Sequence, residues 1–330
     1  MSTGRPGVLA IDAGNSKTDV AVVDDDGTVL ATARGGGFQP PVVGVEAAVD
    51  ALGVTVAAAR AAAGLPLSGP FVAHVSACLA NADLPVEERD LAAAVQARGW
   101  GRTTEVRNDT FAILRAGLLA DAEPRGVAVV CGAGINCVGM LPDGRTARFP
   151  AIGRISGDWG GGLGLAEESL WFAARAADGR GEPTALARAL PAHFGLDSMY
   201  ALIEALHLAR IPDARKHELV PVLFATSAGG DAIARSLVHR LAEEVVALAT
   251  VALARLDLLG EAVPVLLGGS VLAARHPELD ERIGELLAAR APGAVIEVVT
   301  APPVLGAALL GMDHTGAGPE ARARLRAHYA

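Results

Sequence analysis

A strand, a glycine-bearing turn, a second strand, a tight Asp-Gly hairpin and a third strand follow one another twice in this chain. The first copy begins near Val8 and the second near Val127. Tandem copies of one supersecondary unit imply two α/β halves built alike and facing one another. In the first copy, residues 8–11 and 18–23 are apolar runs, Asp24-Asp25-Asp26-Gly27 is a hairpin signal, and residues 28–33 form the third strand. In the second copy, residues 127–131, 136–141 and 145–149 repeat the pattern, with Asp143-Gly144 at the hairpin.

The intervening sequence fits an alternating α/β order. A Gly/Pro loop at 35–41 precedes an Ala-rich helix over 43–63 that Gly64 stops. A strand is expected at 71–75. A helix is expected from Pro85, with Glu87 and Glu88 in its first turn, where the helix dipole favours acids. A strand at 103–106 leads into a helix from Thr110. Helices dominate 164–259, and strands at 263–267 and 294–299 are each followed by a helix. Ala122, Glu123, Pro124 and Arg125 break the pattern, so the expected domains are 1–117 and 118–330. A length of 330 residues suits two domains, and 51% hydrophobic residues suffice for two cores.

Charge and composition exclude several classes. The formal net charge is −9, Lys17 and Lys216 are the only lysines, and no basic run offers a nucleic-acid surface. No apolar run approaches the roughly 20 residues of a membrane span. The first residues lack a basic segment followed by a cleavable apolar one, so a cytoplasmic protein is expected. Cys78, Cys131 and Cys137 show neither CxxC nor zinc spacing and read as small buried residues of a reducing compartment. His74 reads as a core histidine, Trp100 and Trp171 as packing residues, and the basic run at 322–326 as a solvated helix face.

Five motifs carry candidate chemistry. In Asp12-Ala13-Gly14-Asn15-Ser16-Lys17-Thr18, Gly14 permits a tight turn whose N–H groups can line an anion. Ser16 and Thr18 add hydroxyls, Lys17 adds charge, and Asp12 can hold Mg2+ through water. The same residues also suit a plain hairpin with turn-forming Asp and Asn. Gly132-Ala133-Gly134-Ile135-Asn136 occupies the equivalent turn of the second copy, and two such turns can clamp one polyphosphate. Asn108-Asp109-Thr110 stands at the carboxyl end of a strand, where open α/β sheets place ligands. Asp109 is there either a proton acceptor or a helix N-cap.

Glycine density in the segment from Gly153 to Gly162 means either a mobile loop or a backbone that must approach something closely. Within it, Asp158 can hold sugar hydroxyls and Trp159 can cover a sugar face. Gly268-Gly269-Ser270, between strand and helix, lets a flat ligand or phosphate rest on the backbone, or simply punctuates the chain.

In this order the motifs resemble the BadF/BadG-type ATPase family of the actin, hexokinase and heat-shock-protein ATPase superfamily. They are most similar to its N-acetylglucosamine kinases, over about residues 7–313. The resemblance implies two actin/hexokinase-like (ribonuclease H-type) domains with a central cleft, and ATP with Mg2+ as cofactors. It implies a first phosphate loop at Gly14, Asn15, Ser16, Lys17 and Thr18, and a second at Gly132, Ala133 and Gly134. Gly268 and Gly269 would bind adenosine, and Asp12 the metal. Asp109 would be the catalytic base, and Asn108, Asn136, Gly157 and Asp158 would contact the sugar beside it. The implied reaction is phosphorylation of the 6-hydroxyl of N-acetylglucosamine, with small-molecule partners and a homodimer as further expectations.

This chain departs from the family pattern in several places. Its second loop reads G-A-G-I-N where G-T-G-S-N is common, and its first loop has Ala13, Asn15 and Ser16 where glycine is frequent. Trp159 stands where the family often has Glu, and Gly37-Phe38-Gln39-Pro40 stands where relatives place a sugar-contacting Asn. Alternatives are a glucosamine or other hexose kinase, an ATPase activator of an electron-transfer enzyme, and a sugar-sensing repressor. The activators use a Cys-Gly-Gly type motif, whose context Cys131-Gly132 lacks.

Overall fold

The computed structural model describes residues 6–119 and 124–330. Ala122 and Glu123, two of the four residues expected to break the pattern, lie outside the described residues. Strands β1 (Pro6–Ala13), β2 (Thr18–Asp24), β3 (Val29–Gly35), β4 (Val72–Leu79) and β5 (Gly101–Asn108) form a sheet in the order β3-β2-β1-β4-β5. Strands β6 (Gly126–Cys131), β7 (Ile135–Met140), β8 (Thr146–Arg148), β9 (Val263–Gly268) and β10 (Ala294–Val298) form another in the order β8-β7-β6-β9-β10. The second sheet repeats the first strand for strand. In each, the three-strand meander is antiparallel and the two added strands run parallel.

Both Asp-Gly hairpins form, and Gly27 and Gly144 take φ of 88° and 89°, a region open to glycine. The central strand β1 is buried from Gly7 to Ala13, as a strand covered on both faces must be. Its side chains alternate. Leu9 and Ile11 pack with Val49, Leu52 and Val56 of the helix Val45–Ala62, which covers the outer face. Val8 and Ala10 face a middle core shared with Phe111, Leu114, Val138, Leu266, Leu305 and Leu309. That middle core contains the helices Thr110–Gly117 and Pro303–Thr315 and touches both sheets.

The chain's last two helices therefore return to its first sheet. Gly306 and Gly311 make the return possible. A Cβ on Gly306 would lie 1.7 Å from the Ala112 carbonyl oxygen, and one on Gly311 would lie 2.4 Å from Val8 Cγ1. Ser76 Oγ donates to the Ala307 carbonyl at 2.7 Å, and buried Arg115 pairs with Asp313 at 2.7 Å.

The basic run at 322–326 is not the solvated face expected from sequence. Arg322 pairs with Asp313 and Arg324 with Asp26. Arg326 donates to the carbonyls of Arg115, Ala116 and Leu118, satisfying the open end of the helix Thr110–Gly117. Trp100 packs in the core as expected, but Trp171 is 52% exposed, with Arg175 over its ring. The three cysteines are buried and unpaired. Among the described residues, no helix is long and apolar enough to cross a membrane.

The glycine contacts yield a paired prediction. Gly306→Ala forces backbone against backbone and should destabilise by about 1–3 kcal/mol, the usual range for overpacking. Gly284→Ala, in the helix Pro277–Arg290 with nothing within 4 Å of the added methyl, should instead stabilise by up to about 1 kcal/mol. Urea denaturation checks both, and equal effects from the two substitutions would refute the close-approach account.

Candidate active site

A cleft of about 600 Å³ opens where the carboxyl ends of β1, β4 and β5 face the turn between β6 and β7. Asp12, Asp83 and Asp109 line it, with Gly14, Asn15, Ser16 and Lys17 on one side and Gly132, Ala133, Gly134, Ile135 and Asn136 on the other. The two equivalent turns thus frame one space, as their places in the duplicated units require.

The first turn is tied down from below. The Gly14 N–H donates to the Lys17 carbonyl at 2.9 Å, and the Phe38 N–H donates to the Gly14 carbonyl at 2.9 Å. Gln39 Nε2 donates to the Asn15 carbonyl at 2.9 Å. Asn81, held at φ 63°, donates to both Asn15 Oδ1 and the Phe38 carbonyl. The segment Gly37-Phe38-Gln39 therefore supports the turn, and Phe38 is 2% exposed, inside the outer core. Lys17 pairs with Asp19 at 3.1 Å. The Thr18 hydroxyl donates to the Gly36 carbonyl at 2.8 Å and does not reach the cleft.

The second turn is held by the helix Gly161–Ala177. Gly162 N–H donates to the Gly132 carbonyl at 2.7 Å and Leu163 N–H to the Ala133 carbonyl at 3.1 Å. Gly161 has φ +74°, and a Cβ there would lie 2.5 Å from the Ala133 carbonyl oxygen. The glycine density thus serves close backbone approach. Gly269 also lines the cleft, at φ +83°, where a Cβ would lie 2.4 Å from the Cys131 carbonyl oxygen. Gly268 does not line it. A Cβ there would meet Ile113 at 2.6 Å, so that glycine serves packing.

A chain of side-chain amides crosses the cleft floor. Asn136 Nδ2 donates to Asn108 Oδ1 at 3.1 Å, and Asn108 Nδ2 donates to Asp83 Oδ1 at 2.7 Å. Asn108 Oδ1 also accepts from the Thr110 N–H at 3.0 Å. Asn108 is buried, with its side-chain oxygen and nitrogen both engaged within the protein. Asp109 stands at the N-cap position of the helix Thr110–Gly117, but its side chain makes no capping hydrogen bond.

Burial, opposed by the backbone N–H groups of Thr110 and Asp109, pushes the Asp109 carboxyl up to about 6. Burial first, then the charges of Asp109 and Asp19, pushes Asp12 up to about 7 against the pull of Lys17. Burial with Asp109 and Glu87 raises Asp83 to about 7, against Arg148 and the Asn108 hydrogen bond. Sequence reading missed Asp83 and Asn81. The signal was present, because Asn81-Ala82-Asp83 follows a strand and precedes Pro85 much as Asn108-Asp109 precedes a helix.

Asp158 and Gly157, the two other expected sugar contacts, sit in the loop beside the cleft. Asp158 accepts from the Gly153 N–H at 3.1 Å and from the Ser156 hydroxyl, closing its own loop. With buried Trp159 it lines an adjoining recess of about 220 Å³ that shares Ala133 and Gly134 with the cleft. Gly157, at φ +85° in that loop, lines neither space.

The sequence profile of the BadF/BadG/BcrA/BcrD ATPase family matches residues 9–311. The N-acetylmuramic acid/N-acetylglucosamine kinase of Clostridium acetobutylicum is 25% identical over 240 residues, which are 72% of this chain and 76% of that protein. The N-acetyl-D-glucosamine kinase of Dictyostelium discoideum is 24% identical over 313 residues, 92% of this chain and 97% of that protein. A Chromobacterium violaceum structure described as an N-acetylglucosamine kinase superposes with a TM-score of 0.69 at 24% identity, covering 93% of this chain and 99% of that one. The fold is thus the two-part actin/hexokinase-like one.

The raised carboxyls predict a pH signature in stability. Between about pH 4 and pH 7 the folded chain holds protons that the unfolded chain has released, so stability falls as pH rises through that window. Asp12→Asn should raise Tm at pH 8 by about 2 °C or more and flatten the slope. Calorimetric scans across pH check this, and a lower Tm with an unchanged slope would remove the electrostatic account of Asp12.

Proposed function

This chain belongs to the BadF/BadG/BcrA/BcrD ATPase family, and from that membership we propose that it is an ATP-dependent sugar kinase acting on the 6-hydroxyl of N-acetylglucosamine. The observation that carries the reading is Asp109, a partly shielded carboxyl at a strand end in a cleft framed by two glycine turns. At neutral pH a carboxyl raised to about 6 is mostly ionised and still basic enough to accept a hydroxyl proton. The matched kinases of Clostridium acetobutylicum and Dictyostelium discoideum support the same reading.

The cleft fits a polyphosphate. Gly132 and Gly134 have nothing within 4 Å of an added Cβ, so any side chain there would fill the space between the turns. Backbone N–H groups of both turns, with Ser16 and Lys17, would hold the phosphates. Asp12, charged at a cost because it is buried and has Asp109 and Asp19 nearby, suits a hard divalent cation and would hold Mg2+. Bound to ATP, Mg2+ supplies neutralisation of the phosphate charge during transfer. Asp109 takes the proton of the attacking hydroxyl, Asn108 and Asp83 fix the strand end that carries Asp109, and Asn136 orients the acceptor from the opposite side.

A second reading has its own observation. Free glucosamine brings a cation, and Asp83 places an additional carboxyl on the cleft wall. Competition among acceptors separates the two. For the first reading, kcat/KM for N-acetylglucosamine should exceed that for glucosamine and glucose by at least about tenfold, a difference of roughly 1.4 kcal/mol. Preference for glucosamine, abolished by Asp83→Asn, would transfer the assignment. For the base, Asp109→Asn should lower kcat by about 10²-fold or more with an unchanged circular dichroism spectrum, and near-normal turnover would end that role.

A further inference from the structure

At the other end of the first sheet, strands β4 and β5 place His74 opposite Thr103 and Ser76 opposite Glu105. The helix Pro303–Thr315 crosses the same strands and carries His314 in its last turn. One ligand atom each from His74, Glu105 and His314 lies within 4.8 Å of the others. His74 is 1% exposed, and its Nδ1 is 2.8 Å from Thr103 Oγ1. Its Nε2 is buried and has no hydrogen-bond partner.

A buried polar atom without a partner costs free energy, and in native proteins such an atom needs an explanation. A hydroxyl on one ring nitrogen, leaving the other nitrogen bare, is how metal-binding imidazoles are oriented.

We propose that His74, Glu105 and His314 form a binding site for a divalent transition cation of the zinc class. Two imidazoles and one carboxylate are the donor set that zinc accepts, with a fourth position for water on the solvent side. One Glu105 oxygen accepts from Arg107 at 2.7 Å, which leaves the other oxygen for the cation. The His74 and His314 rings stack with centroids 3.9 Å apart and planes 13° from parallel. Tetrahedral zinc needs ligand atoms roughly 3.3 Å apart, so binding requires His314 to turn, which its exposed position permits. The site lies roughly 16 Å along β4 from the cleft. A bound ion would pin the returning helix to the first sheet without touching the reaction.

The test uses full-length protein stripped with EDTA and dialysed against Zn2+, followed by metal analysis, with Co2+ as a spectroscopic probe. Wild type should retain about one equivalent of Zn2+ and gain several degrees in Tm, because a ligand that binds only the folded state stabilises it. Co2+ should show the visible bands of a tetrahedral site. His314→Ala changes an exposed side chain and should lose the bound equivalent, the bands and the Tm gain, whereas His328→Ala should keep all three. Failure of wild type to retain Zn2+, or equal retention by His314→Ala, overturns the proposal.

Discussion

The helix Pro303–Thr315 lies in the middle core between the two sheets, and backbone contact at Gly306 seats it against the helix Thr110–Gly117. Gly306 lies against the Ala112 carbonyl and Gly311 against the Val8 side chain, and a Cβ at either position would collide with its neighbour. The middle core that results holds residues of both sheets and of the helix Thr110–Gly117. That helix begins beside Asp109, and its far end is held by Arg326. The position of the candidate base therefore depends on glycines nearly two hundred residues further along the chain.

The cleft gathers charge that the fold alone would avoid. Asp12, Asp83 and Asp109 are each harder to ionise than a free carboxyl: burial penalises all three anions, and the charge of Asp109 adds to the penalty on Asp12 and Asp83. A scaffold selected only for stability would replace at least one of them with an amide. Three such carboxyls in one space, opposite two glycine turns, mark a candidate functional site.

Much of this was legible in the sequence, and for identifiable reasons. Apolar runs and Asp-Gly hairpins are local signals, so the six meander strands and the repeat of their order could be read directly. Asp12 and Asp109 followed from their place at strand ends. What sequence could not show depends on tertiary approach. The return of residues 303–329 to the first sheet leaves no local mark, since a helix with glycines looks merely weak until its neighbours are known. Asn108 carries the same residue type expected of a sugar contact, yet its amide is used by Asp83 and Asn136. Asp158 turns back on its own loop because Gly157 and Gly153 allow a tight turn there.

The three thiols, Cys78 in β4, Cys131 in β6 and Cys137 in β7, are divided between the two sheets and sealed from solvent. Burial holds each well above the ordinary thiol range, so neither exposure nor thiolate is available in the folded chain. Alkylating reagents can then reach them only through local opening. With no engineered label, the rate at which each cysteine is modified becomes a clock for its own sheet, and the first and second halves can be timed separately.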